Sequence, residues 1–155
     1  MDGVPWDDPR SLAVIRAAAT PDAELVYYDG TGPQRFDVLP LSVVTDGAVE
    51  AVGVDRRRFR PNILLAGVPG IEERNWVGRE LRIGEARIGV RQVRPRCVMT
   101  TFDPDTLEQD ITVLRKIVFD LDGVTALDCS VLEPGRVAVG DTAEVLGYRT
   151  VPRSA

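Results

Sequence analysis

The segment "RELRIGEARIGVRQVRP", Arg79 to Pro95, limits the fold more than any other part of this chain. Apolar residues alternate with charged ones at Ile88 and Val90, and less cleanly at Val93 after Gln92. Such a period of two is the signature of a half-buried β-strand. Gly84 and Glu85 break the run where two strands would reverse, so "RELRIG" and "ARIGVRQVRP" read as a strand pair. A paired sheet then needs further strands, and the chain offers them in short pieces. "ELVYY" (Glu24–Tyr28), "LSVVT" (Leu41–Thr45), "NILLAG", "ALDCSVLEPG" and "RVAVGDTAEVL" all read as extended, separated by Gly- and Pro-containing turns.

Helical signals are fewer. "SLAVIRAAAT" (Ser11–Thr20) predicts a short helix stopped by Pro21. "DGAVEAVG" predicts another, with Asp46 as N-cap and Gly53 near its end. In "LEQDITVLRKIVFDL", Leu107, Ile111, Leu114 and Val118 fall at helical spacing and Ile117 widens the stripe, which predicts a helix. "RRRFRPN" (Arg56–Asn62) reads as a strand, with Arg58, Arg60 and Asn62 on one face and Arg57 and Phe59 on the other. The fold class expected is mostly β with a few short helices (α+β), in a barrel-like arrangement. At 155 residues a single domain, 1–155, is expected, long enough to bury a core.

Composition mainly removes possibilities. The chain has no histidine. That excludes Ser-His and Cys-His nucleophile pairs, HExxH zinc sites and histidine general bases. Two separate cysteines, Cys97 and Cys129, make neither a disulfide framework nor a four-ligand Cys/His zinc site. No apolar run reaches the roughly 18 residues of a membrane helix, and "MDGVPWDDPR" lacks the pattern of a secretory signal. The expectation is a cytoplasmic protein without a membrane partner. Thiols, carboxylates and arginines remain as the chemical resources. Lys116 is the one lysine, so nearly all positive charge is guanidinium, which suits planar anions; arginine-rich codon usage explains the ratio equally well.

Two basic clusters stand out against a formal net charge of −5. The first is "RRRFRPN". The second is Arg87, Arg91, Arg94 and Arg96, leading directly into Cys97, with no acidic residue between Ala86 and Phe102. Nearby positive charge favours a thiolate, the nucleophilic and metal-binding form of cysteine. A free cysteine acting as a small apolar core residue is the alternative. Cys129, without basic neighbours, reads as core. "DPDT" (Asp103–Thr106) is turn chemistry first, but it lies six residues beyond Cys97, behind Thr100 and Thr101. "DLDG" (Asp120–Gly123) lacks the remaining acids of a calcium loop, and "GVPG" and "GTGP" lack the lysine of a phosphate loop. Phe59 among arginines suggests a nucleic-acid patch, but a pI near 4.8 and the lack of other aromatic residues nearby weigh against one.

Together "RRRFRPNILLAG", "LRIGEARIGVRQVRPRCVMTTFDPDT", "ITVLRKI" and "VLEPGRVAVGDTAEVL" occur in the order seen in MOSC domains, named for the C-terminal domain of molybdenum-cofactor sulfurase. The resemblance covers about Leu39 to Leu146, leaving 1–38 as a divergent N-terminal part. It implies a β-barrel-like core and either of two functions. In one, the domain binds the molybdenum cofactor (molybdopterin) and acts as an oxidoreductase on N-hydroxylated compounds. In the other, it carries sulfur as a persulfide on Cys97, or holds the cofactor without turnover. Carried over residue by residue, Cys97 is the metal ligand or sulfur carrier. Arg60 grips the pterin phosphate, Asn62 hydrogen-bonds the cofactor, and Arg96 is a second cationic contact. Thr100 and Asp103 line the metal side. Amidoxime-reducing relatives carry an "S-E-A-S-L"-like stretch where this chain has "TDGAV". Asp46 keeps the acid as a cofactor contact, while Ala48 replaces the serine. The chain has no flavin or iron–sulfur motif, so electrons or sulfur are expected from an external reductase or sulfur-donor protein.

Overall fold

The computed structural model describes Pro5 and residues 7–31 and 36–148. The chain forms two compact units, Met1–Arg35 and Phe36–Ala155. In the first, helix α1 spans Pro9–Ala18, two residues earlier than the pattern predicts. Asp8 accepts a hydrogen bond from Arg10 N (2.8 Å) as N-cap, and Pro9 takes the first turn, where no N–H is needed. The expected strand at Glu24–Tyr28 does not form. Val26 and Tyr27 stay well exposed, so the stretch buries no face that would select extended pairing. The "GTGP" turn lies partly outside the described residues.

The second unit is built on one six-stranded sheet. Its strands are β1 (Leu41–Thr45), β2 (Ile63–Leu65), β3 (Arg79–Ile83), β4 (Ala86–Pro95), β5 (Val124–Glu133) and β6 (Ala143–Tyr148). Their order is β2-β1-β5-β4-β3-β6. All neighbours are antiparallel except β1 with β2. The sheet curls into a half-barrel, with β2 and β6 at its two edges. The hairpin read from Arg79 to Pro95 is present, with Ile83 opposite Ala86 across its turn.

Alternation sends neighbouring residues to opposite faces of the sheet. Val43, Leu127 and Cys129 join Leu81, Ile83, Ile88 and Val90 in one core. Val44 and Ala126, one residue away, join a second core under the helices. Helix α2 (Asp46–Val52) supplies Ala48 and Val52 to it, and α3 (Ile111–Asp120) supplies Val113 and Ile117. Thr45, not Asp46, is the N-cap of α2: its Oγ1 accepts from Ala48 N at 3.1 Å. Gly53 closes α2 in the left-handed conformation (φ 76°), as its position at the end of the run suggests.

Helix α3 forms within the expected segment, and of the apolar stripe read from its spacing Ile117 is buried while Ile111 and Val118 are exposed. Val113 and Ile117 are the buried residues, and Leu121 follows them into the same core. Leu107 lies before the helix, largely exposed, in a loop with φ 61°. The helix is thus apolar on two sides, and the residue spacing alone did not decide which side the sheet would cover.

The closing "EPG…VGD" segment has a structural explanation. A Cβ on Gly135 would meet Glu85 carbonyl atoms at 2.5–2.6 Å, so only glycine lets this turn lie on the β3–β4 turn. Glu85 N donates to Arg136 O (3.1 Å), and Glu85 Oε2 accepts from Arg136 N (3.1 Å). Asp141 Oδ2 then accepts from Ala138 N at 2.8 Å.

Candidate functional site: a free thiol and an unpaired guanidinium on two packed turns

Strand β4 ends at Pro95, and Arg96 N donates to Gly123 O at 3.0 Å. Cys97 follows in extended conformation and begins a 3-10 turn over Val98–Thr101. The Cys97 carbonyl is held twice, by Thr100 N (3.2 Å) and by Thr100 Oγ1 (2.9 Å). Thr100 is buried, whereas Cys97 is exposed and its thiol is free. Cys129 is the opposite case. It is fully buried in the first core, and burial, helped by the Asp128 charge, pushes its thiol up to about 12.

The basic segment is a turn rather than the strand expected from its sequence. Arg56–Phe59 forms a 3-10 helix. Asp55 starts it by accepting from Arg57 N at 2.8 Å. Phe59 must reach the second core, and Pro61 has no N–H to extend a ladder. Arg60 closes the turn in the left-handed region (φ 49°), its N donating to Arg57 O at 3.0 Å. The alternation that would have aligned Arg58, Arg60 and Asn62 is therefore absent.

Two arginines clamp the turns together. Arg58 Nη1 donates to Thr101 O (2.7 Å), and its Nη2 donates to Asp103 Oδ2 (2.9 Å). From the other side, Arg96 Nη2 donates to Phe59 O (2.8 Å), and its guanidinium lies 5.1 Å from the Phe59 ring centroid. Arg60 follows Phe59, and Cys97 follows Arg96, so the clamp brings the unpaired cation and the thiol to neighbouring turns. Burial first, then the Arg94 charge, pulls the Arg96 guanidinium down to about 10, which leaves it cationic at neutral pH. Its Nε is buried without a partner. The Arg56 and Arg60 guanidinium groups make no hydrogen bond or ion pair with any described residue.

The other candidate residues are held within the fold. Asn62 pins β2 to β1: its N donates to Ser42 O (2.9 Å), and its Oδ1 accepts from Ser42 N (2.8 Å). Asp46 accepts from Gly67 N (2.6 Å), Val68 N (3.0 Å) and Gly47 N (2.9 Å). These backbone bonds, Gly67's first, hold its carboxyl below the usual range. Asp103 organises its own loop, accepting from Asp105 N (2.9 Å) and Thr106 N (3.0 Å). The Thr106 and Asp105 backbone bonds likewise lower its carboxyl, with the Arg58 charge a smaller cause.

Three arginines of the second basic cluster are engaged across the sheet, two of them by carboxylates. Arg87 pairs with Glu80 and with Glu133 (2.6 Å). Arg91 Nε donates to Ser130 Oγ (2.9 Å). Arg94 pairs with fully buried Asp128 and with Asp37 (3.2 Å). Sequence distance alone hid these carboxylates. It also hid the clamping role of Arg58. The signal for the turn was Asp55, an N-cap residue just ahead of "RRRF".

Among the described residues no group of three or more Cys, Asp or Glu side chains is placed to hold a metal ion. The donor set is one soft exposed sulfur beside unpaired guanidinium groups. That fits a metal whose remaining ligands arrive with an anionic organic group better than it fits a bare cation.

Comparisons with known proteins bear on the family of the chain. The chain is 36% identical over 76 residues to mitochondrial amidoxime reducing component 2 of Homo sapiens, covering 45% of this chain and 22% of that one. The Bos taurus protein of the same name is 48% identical over 76 residues, with the same coverage. Mitochondrial amidoxime-reducing component 1 of Mus musculus is 29% identical over 104 residues, covering 63% and 28%. The match thus spans less than a third of each relative's length, and these names give no support to a cytoplasmic location. No helix of the described residues is long and apolar enough to cross a membrane. The crystal structure of YiiM from Escherichia coli shares the fold at a TM-score of 0.50 and 21% identity, covering 72% of this chain and 56% of that one. A profile of the MOSC domain matches residues 42–144, well over half of the sequence, and the chain belongs to the MOSC domain family.

Proposed function

We propose that this chain binds the molybdenum cofactor at Cys97 and Arg60 and supports the two-electron reduction of N-hydroxylated compounds. The observation that carries this reading is an exposed free thiol on one turn and an unpaired guanidinium on another, the two turns being clamped together by Arg58 and Arg96. Cys97 supplies the thiolate ligand, held in place through the Thr100 bonds to its carbonyl. Arg60 grips the pterin phosphate with its planar fork. Arg56, one turn earlier, adds a second unpaired charge, and Arg96 adds a fixed one. Asn62 contributes its Nδ2, its Oδ1 being bonded to Ser42 N. Thr100, Asp103 and Asp46 act by positioning the turns and the loops beside them.

When bound, the cofactor supplies a metal centre that takes up and delivers electrons in pairs. The overall change is that R–NH–OH, two electrons and two protons give R–NH2 and water, with the N–O bond broken. The electrons come from a separate reductase. The name of the relatives supports the substrate class, and the family supports the cofactor.

The test is reduction of an amidoxime by full-length, cofactor-loaded protein, with a chemically reduced viologen as electron donor. The expected result is turnover that Cys97→Ser abolishes. Absence of turnover, together with an additional sulfur on Cys97 by mass spectrometry of the native protein, would replace this reading with sulfur carriage.

A further inference from the structure

The outer face of α3 carries a feature that folding does not require. Ile111, Leu114, Arg115, Val118 and Phe119 recur at the spacing of one helix face. The opposite stripe, Val113 and Ile117, already fills the second core. A surface helix normally turns charged and polar residues outward. Here Ile111 and Val118 are about half exposed and Phe119 is 81% exposed. With Val98 and Thr101 of the neighbouring turn they line a groove of about 390 Å³. The groove begins at Val98, the residue after Cys97.

One charge stands in its wall. The Arg115 guanidinium makes no hydrogen bond or ion pair with any described residue. Three carboxylates near it in sequence are engaged elsewhere. Asp110 caps α3 through Thr112 N (2.9 Å) and Thr112 Oγ1 (2.6 Å). Asp103 meets Arg58, and Asp105 meets Arg57. A volume of this size matches a small organic molecule, for which sites of roughly 300–1,000 Å³ are usual. An apolar surface with a single free guanidinium is complementary to an apolar body bearing one anionic group.

We propose that this groove is a substrate subsite: it takes the apolar body of an N-hydroxylated substrate that also carries a carboxylate. The ring or chain lies on Val98, Ile111, Leu114 and Val118, and the carboxylate pairs with Arg115. The N-hydroxyl end is then directed toward Cys97. This rests on the reductase reading above, but the groove can be tested without it.

The experiment is an NMR titration of the full chain, without cofactor, using three probes: 4-carboxybenzamidoxime, its uncharged methyl ester and acetamidoxime. The groove predicts that the acid binds at least tenfold more tightly than acetamidoxime, with shifts at Val98, Ile111 and Val118. Arg115→Ala should weaken the acid about tenfold and leave the ester unchanged. Val118→Asp should weaken both aromatic probes and leave acetamidoxime unchanged. Both side chains are exposed, so both variants should fold. Equal affinity for all three probes, or equal weakening of acid and ester by Arg115→Ala, would overturn the proposal. Groove binding in a protein that never reduces an amidoxime would sink the reductase reading alone.

Discussion

The two arginine clusters look alike in sequence and differ in the fold. Arg87, Arg91 and Arg94 lie on a strand, and partners on β5, β3 and the segment before β1 meet each of them. In the Arg56–Arg60 turn, Arg57 and Arg58 are engaged, while Arg56 and Arg60 have no partner among the described residues. A run of like charge in a sequence therefore does not define an anion site. What defines one is the charge left over after the fold has paired the rest. A strand inside a sheet has neighbours on both sides to supply carboxylates. A short turn has fewer, so its last residue can stay free.

Substitutions should separate these classes by size of effect. Asp128→Ala should cost the most, about 3 kcal/mol in urea unfolding, because it leaves Arg94 and Gln92 facing a vacated, fully buried position. A loss below about 1 kcal/mol would show that the second cluster is not locked as described. Arg58→Ala should cost less, about 2 kcal/mol, since a largely buried guanidinium loses charged hydrogen bonds to Thr101 O and Asp103. Arg57→Ala should lower the unfolding midpoint at neutral pH only slightly, by less than Arg58→Ala, because its pairs with Asp55 and Asp105 are exposed.

The Arg57 variant has a clearer signature in acid. The Arg57 side chain and N–H hold the Asp55 carboxyl down at about 2, against an ordinary 3.8. A lowered folded value favours folding above the ordinary value, and that contribution disappears as pH falls toward about 2. Arg57→Ala should therefore flatten the stability curve between about pH 4 and pH 2. The same slope in both proteins would break the assignment. The smallest effect on stability belongs to Arg56→Ala and Arg60→Ala. A midpoint shift as large as that of Arg58→Ala would mean that these residues are not free.

Much of this arrangement was legible in the residues. The Arg79–Pro95 hairpin, β1, β5 and the α2 run follow from alternation and turn residues, which act locally. The motifs around Cys97 pointed to the thiol, and the family match agrees with the resemblance they carried. Three features required the fold. "RRRFRPN" alternates well enough for a strand, but Asp55 as a cap and Phe59 as a core anchor wind it into a turn. Helix α3 has two apolar faces, and only the sheet beneath it decides that Ile117 is inside and Val118 outside. "ELVYY" has strand composition, but Val26 and Tyr27 stay well exposed. In each case local propensity was outweighed by what the segment could be packed against.

The most direct test of the account is the molybdenum and phosphorus content of the full chain purified from a host that makes the cofactor. The account predicts the two elements together in the wild type, loss of molybdenum in Cys97→Ser, and loss of both in Arg60→Ala, whose stability is unchanged. Wild-type protein with neither element, or an Arg60→Ala variant that keeps both in full, would contradict it.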